Sequence, residues 1–371
     1  MNFYLLIFLS VALIYSLNLF SNNEKSLAMK FKFSISSFLF LILVVILGFR
    51  DTLGSDYGSY FLDFTYMQDI YLENNYFVTQ KLDLFYEYLS FFIIYLGLPF
   101  DYLSLLISFI FVFSIIFFSL QENDYLMIIL IFLSYYYLVL GMGYIRQGLS
   151  ISFLLFFIHF WRNEKIFLSW IFLIIAILTH KFAIVSSFLI FVRPKDNWLY
   201  FNKYLYIFLA IILVYLSYKI FESKNIIEYF EIYSLERSSG ALYRTLGGVI
   251  CAILFFSKKS FFKKRSDYRY LYVSSTILMF LFPASFFYST ISDRLLAYFL
   301  PCIFIILSTI PITFKTVKPS LIKFFLITIL FSHLLFWTNY SNQSNLYVPY
   351  RMIDYPGSKD SPYKYMIRYC C

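Results

Sequence analysis

Residues 243–289 read YRTLGGVICAILFFSKKSFFKKRSDYRYLYVSSTILMFLFPASFFYS. Two apolar runs, 243 to 257 and 270 to 289, flank a segment that holds Lys258, Lys259, Lys263, Lys264, Arg265 and Arg269 against a single acid, Asp267. Hydrocarbon tolerates only backbone that satisfies its own hydrogen bonds, and short cytoplasmic connections retain lysine and arginine. The stretch therefore predicts two membrane helices with a cytoplasmic connection at 258–269.

The rest of the chain repeats this grammar. Of 371 residues 61% are hydrophobic and only 14% charged, with a mean hydropathy of +0.74, which excludes both a soluble domain and a disordered chain. The net charge of +9 is absorbed by basic connections between apolar runs, so it does not imply a nucleic-acid partner. The 49 Phe and 36 Tyr run through every apolar segment and predict lipid-facing and interfacial packing more than one binding platform. Cys251 and Cys302 lie in apolar runs and Cys370 and Cys371 follow one another, a spacing that suits neither a metal site nor a disulfide framework. The first run, Phe3 to Phe20, lacks a basic start and a small-residue cleavage site and is expected to persist as a span.

Candidate spans are 3–20, 33–49, 101–120, 125–142, 147–161, 166–179, 182–193, 204–221, 243–257, 270–289, 294–314 and 321–338. The fold class predicted is all-α, a single polytopic transmembrane domain over 1–371 with about twelve helices. Working outward from 258–269, the connections carrying Lys315, Lys318 and Lys323, then Arg193, Lys195 and Lys203, then Arg162 and Lys165, fall inside. Lys25, Lys30 and Lys32 place the first connection inside as well. Both counts put positions 50 and 100 outside, so 84–98, with Tyr86, Glu87, Tyr88 and Tyr95, is expected to be an interfacial or re-entrant helix within an outer loop, 50–98. A second outer loop, 222–242, and an outer tail, 339–371, follow by the same parity. In the tail, Tyr347-x-Pro349-Tyr350-Arg351 suits an ordered lid.

Parity gathers the polar clusters on the outer face, whereas the inner connections are too short for a nucleotide site. Arg50-Asp51-x-x-Gly54-x-Asp56-Tyr57-x-x-Tyr60 leaves the second span through a turn that Gly54 permits. Asp56 is the candidate general base or acceptor-binding carboxylate, with a helix N-cap as its structural alternative. Its loop is acidic and rich in tyrosine, a combination that suits sugar rings but also an ordinary solvated loop. Arg146 with Gln147 opens a span, and Arg244 and Arg294 open two others, where planar guanidinium groups could clamp a diphosphate or merely anchor at headgroups. His180-Lys181 breaks two apolar runs, and His180 can exchange protons near neutral pH or serve as a satisfied structural histidine. His159 and His333 are read as structural.

Taken together, Arg50 with Gly54-x-Asp56-Tyr57-x-x-Tyr60, Ile145-Arg146-Gln147-x-Leu149 and His180-Lys181-x-Ala183 resemble the EpsG-like and Wzy-type family of bacterial exopolysaccharide, capsule and O-antigen polymerases. The likeness covers about residues 1 to 200, with Asp293, Arg294 and Tyr298 fitting it more loosely. Ser150 stands where many members have Ala, and Asp83 is followed by Leu84 where Pro is common, which leaves the role of Asp83 or Glu87 open.

The resemblance implies a membrane glycosyltransferase of the bacterial cytoplasmic membrane, facing the periplasm or exterior. It would move a growing glycan from its undecaprenyl diphosphate carrier to the non-reducing end of a lipid-linked acceptor. Asp56 and His180 would be the catalytic candidates. Arg50, Tyr57, Tyr60, Arg146, Gln147, Lys181, Arg244, Asp293 and Arg294 would bind substrate. Membrane lipids and a chain-length regulator are the further partners implied, with no metal and no cofactor. A flippase or other transporter is the competing class, and an O-antigen ligase would share the donor chemistry. Against a transporter, most charges sit at span ends, Gly numbers only 11, and no matched pair of broken segments marks two halves.

Overall fold

The computed structural model describes residues 3–20, 25–74, 76, 83–191, 238, 240–314 and 316–352. Among them every regular element is helical, apart from one isolated antiparallel bridge between Arg50 and Met352. In chain order the α-helices are α1 (Phe3–Phe20), α2 (Lys25–Gly48), α3 (Tyr57–Asn74), α4 (Leu84–Tyr95), α5 (Phe100–Ser119), α6 (Tyr125–Ile131), α7 (Ile145–Arg162) and α8 (Ile166–Thr179). They continue as α9 (Ala241–Ser257), α10 (Lys259–Phe262), α11 (Tyr268–Ser285), α12 (Ser289–Ala297), α13 (Leu300–Thr313) and α14 (Pro319–Tyr340).

The chain is an all-helical membrane protein with several apolar helices. By length and composition α5 and α14 can each cross a bilayer, and α12 with α13 form a pair bent by 64°. Shorter apolar helices occupy most of the other predicted runs. The predicted span 204–221 and most of the loop 222–242 lie outside the described residues, as does the tail beyond Met352.

Two predicted features take a different form. The loop expected from Arg50 to Asp83 contains α3, an 18-residue helix. Its buried residues, Tyr57, Tyr60, Phe64 and Met67, recur at three- and four-residue intervals and make one apolar stripe, while Asp63 lies among them in sequence and Asp69 and Glu73 follow. The predicted span 294–314 is interrupted at Tyr298 and Phe299, just before Pro301 in the first turn of α13. Proline fixes its own backbone and lacks an N–H, so it starts a helix readily and continues one poorly. The segment 84–98 forms the 12-residue α4, which at 1.5 Å per residue covers about 18 Å, too short to cross hydrocarbon alone.

The chain divides into two compact units, Met1–Ser152 with Thr316–Cys371, and Phe153–Lys315. In the first, α2 packs on α5, α1 on α6 and α14, and α3 and α4 on each other. One end of this unit is tied by Asp124, which caps α6 and accepts from Tyr15 Oη and Lys323 Nζ, both at 2.7 Å. Beside it, Lys32 Nζ donates to the Leu120 carbonyl at 2.7 Å. Charge predicts the connections carrying Lys32 and Lys323 on one face, and in this unit both meet the connection between α5 and α6.

In the second unit α9 packs against α11, α12 and α13, and the 3₁₀ segment Lys181–Phe191 lies against α8 and α12. Its buried tie is Asp267, which forms an ion pair with Arg162 Nη2 at 2.6 Å and accepts from Arg265 Nε at 2.8 Å. Asp267 stands immediately before α11, where a carboxylate complements the helix dipole.

Candidate functional site

The first unit brings the Arg50–Tyr60 and Arg146 motifs together. Arg50 follows α2 and is 1% exposed. Its Nε donates to the Leu53 carbonyl at 3.1 Å and its Nη1 to the Leu47 carbonyl, while the Tyr57 ring centroid lies 5.7 Å away. Burial pulls its pKa down, and Tyr57, Tyr137, Tyr4 and Tyr350 oppose that shift. The guanidinium thus knots the turn from within.

The turn continues through Thr52 and Gly54, both at positive φ, 50° and 122°. Gly54 lies so close to the Met142 carbonyl that a Cβ would overlap it, so only glycine satisfies both the backbone angle and the approach. Asp56, half-buried, ends the turn, and its carbonyl accepts from Tyr60 N at 3.1 Å as α3 begins. Tyr57 and Tyr60 are buried, and Tyr60 also faces Arg146.

Met142 belongs to an irregular passage. After α6 the chain makes two π-helical turns, Phe132–Tyr136 and Val139–Gly143, and restarts as α7 at Ile145. Such widened turns re-aim the residues that follow. Arg146 therefore falls in the first turn of α7, where the helix dipole disfavours a cation. Three neighbours hold it there. Its Nη1 meets Asp83 Oδ2 at 2.8 Å, and its guanidinium lies 4.9 Å from the Tyr60 ring centroid and 5.7 Å from that of Tyr86. The Arg146 side chain stays 20% exposed, so the charge is oriented and still reachable. Gln147, beside it, is buried.

The second unit holds the other candidates. His180 ends α8 in an extended conformation and is 8% exposed. Its Nδ1 is 2.7 Å from the hydroxyl of Tyr298, the residue at the bend between α12 and α13. Lys181 opens the 3₁₀ segment and is half-buried. Arg244 and Asp293, predicted separately, form a two-point ion pair, Nε to Oδ1 at 2.5 Å and Nη2 to Oδ2 at 2.6 Å. Ser238 Oγ donates to Asp293 Oδ2 at 3.0 Å and accepts from Arg244 Nη2 at 2.9 Å. Arg294 is half-buried on α12. Among the described residues no group of three or more His, Cys, Asp or Glu is arranged to hold a metal ion.

Three residues of these clusters escaped assignment from sequence. Asp83 carried a signal, since an acid just before an apolar helix is a common N-terminal element, but nothing linked it to Arg146, 63 positions on. Tyr86 looked interfacial. Tyr298 gave only a loose family likeness, and its contact with His180 spans 118 positions.

In comparison with known protein families, the model described as the EpsG family matches residues 33–352. No curated protein and no solved structure matches the chain.

Proposed function

We propose, from the premise that this chain belongs to the EpsG family, that it polymerises undecaprenyl-diphosphate-linked oligosaccharide repeat units at the outer face of the cytoplasmic membrane. Family membership supports a polysaccharide polymerase-type role. The observation that carries the finer reading is Arg146. A guanidinium in the first turn of an 18-residue helix, walled by two tyrosines and steadied by one carboxylate, suits a diphosphate, because helix N-termini and arginine both favour phosphate oxygens.

In this reading the acceptor hydroxyl attacks the anomeric carbon of the donor glycan. The new C–O bond forms as the bond to the diphosphate breaks, the diphosphate leaves with the electron pair, and Arg146 stabilises the charge it gains. The hydroxyl proton passes to the Asp56 carboxylate. Asp56 is favoured over His180 as base because it is half-exposed in the turn that abuts Met142, four residues before Arg146. His180 is buried against Tyr298.

The test is complementation of a deletion strain, read as a glycan ladder together with the location of lipid-linked single units. Arg146→Ala and Asp56→Asn should leave single units accumulating outside with no longer chains. Units retained inside would favour a flippase. Ladders of normal length from both variants would defeat the assignment.

A further inference from the structure

The turn that carries Asp56 is held from outside by a segment almost 300 residues away. After α14, residues 341–352 fold back over it. Gly54 N donates to the Leu346 carbonyl at 3.0 Å, Asp51 N to the Arg351 carbonyl at 3.0 Å, and Arg50 bridges Met352. Tyr350 Oη reaches the Ile46 carbonyl at 3.1 Å, at the end of α2. Such support has a physical reason. Thr52 and Gly54 occupy left-handed backbone conformations that a short exposed turn would not keep alone.

Tyr347 is the centre of this strap. It is 1% exposed, its ring stands edge-on to Trp337 at 5.3 Å, and its carbonyl accepts from Tyr4 Oη at 2.8 Å. Its hydroxyl donates to Ser55 Oγ at 3.2 Å, and Ser55 N approaches the same oxygen at 3.4 Å. The hydroxyl also fills the space left by the missing side chain of Gly143. A methyl group there would overlap the Tyr347 oxygen and stand 2.9 Å from Ser55 Oγ. One phenol thus touches the residue before Asp56 and the residue three before Arg146.

We propose that Tyr347 is a positioning residue, whose hydroxyl fixes the Ser55–Asp56 turn against the Gly143–Arg146 turn and so sets the carboxylate relative to the phosphate-binding arginine. The proposal rests on the polymerase reading for the reaction served, but its geometry can be tested separately.

In purified full-length protein, Tyr347→Phe should raise amide hydrogen exchange across residues 50–57 by about tenfold or more, while α6 stays protected. The same variant should shorten the glycan ladder in cells, with polymer output down about tenfold, because small misplacements of reacting groups are costly. Gly143→Ala supplies a second, steric arm. Alone it should abolish polymer, since its methyl collides with the Tyr347 hydroxyl. On the Tyr347→Phe background it should be markedly less harmful, because the nearer clash has gone and Ser55 Oγ, 2.9 Å from the methyl, can turn away once its phenol partner is absent. Unchanged exchange in Tyr347→Phe, or Gly143→Ala equally harmful on both backgrounds, overturns the positioning role. Raised exchange in Tyr347→Phe together with a normal ladder in Arg146→Ala overturns the polymerase reading instead.

Discussion

Helix α7 carries an arginine at each end, and the two are held in opposite ways. Arg162, in the last turn, sits where the helix dipole favours a cation. It shares Asp267 with Arg265, the acid is 1% exposed, and the carboxylate stands before another helix, where an anion is favoured. There the carboxylate is sealed between two cations, with the Arg162 side chain 11% exposed and that of Arg265 21%. Arg146, in the first turn, sits against the dipole with one carboxylate and two ring faces, and keeps part of its side chain accessible. The sealed end is what a structural tie needs. The open end keeps a fifth of its side chain accessible, and that difference in exposure and pairing supports the anion-binding role proposed for Arg146.

The largest effect should come from breaking the sealed end. Asp267→Ala leaves Arg162 and Arg265 without their shared carboxylate and should cost roughly 3–5 kcal/mol, read as a large fall in the thermal midpoint of the purified protein. Unchanged stability with lost polymer would erase the contrast between the two ends. The same site sets a pH dependence. Burial alone would raise the Asp267 pKa, but Arg162 and Arg265 bring it below the usual carboxylate range. A depressed folded pKa means the stabilisation is complete above about pH 4 and is lost as pH falls through the lowered value. The thermal midpoint of the wild type should therefore drop on acidification below about pH 4, and Asp267→Asn should flatten that drop.

The open end should answer in activity. Arg146→Lys keeps the charge but loses the planar fork, and polymer output should fall about 10²- to 10³-fold with protein level unchanged. A parallel loss of protein would make Arg146 a structural tie like Arg162. Asp83→Asn should be milder, about tenfold in polymer, with a stability cost below about 1 kcal/mol because the pair remains partly solvated. A cost matching that of Asp267→Ala would remove the distinction. The smallest effect belongs to Tyr86→Leu, which removes one ring wall beside Arg146. A twofold to fivefold loss of polymer, about 0.5–1 kcal/mol, is expected, and no loss would show that Tyr60 alone orients the guanidinium.

How far the site was legible varied by residue. Arg146 announced itself, because an arginine at the start of an apolar run is conspicuous in any membrane chain. The sequence could not show that Arg50, equally conspicuous, turns inward to the Leu47 and Leu53 carbonyls. Nor did charge reveal that Arg244 and Asp293 would neutralise each other across 49 positions. Tyr57 and Tyr60 read as loop aromatics because an acid, Asp63, lies between them and their helical partners, whereas in the fold their stripe faces inward.

Composition, apolar run length and the placement of lysine and arginine determined by themselves that this is an all-helical membrane chain. They also predicted which connections share a face, because crossing hydrocarbon imposes constraints on each segment by itself. The EpsG likeness was equally readable, since its motifs are local. Tertiary structure alone decided which charges are closed and which stay open. It paired Asp83 with Arg146 and Tyr298 with His180, and laid Tyr347 on the turn before Asp56. Those partners lie from tens to hundreds of residues apart, and their meeting depends on how helices pack, on two π-helical turns and on a bend at Tyr298, none of which a local pattern encodes.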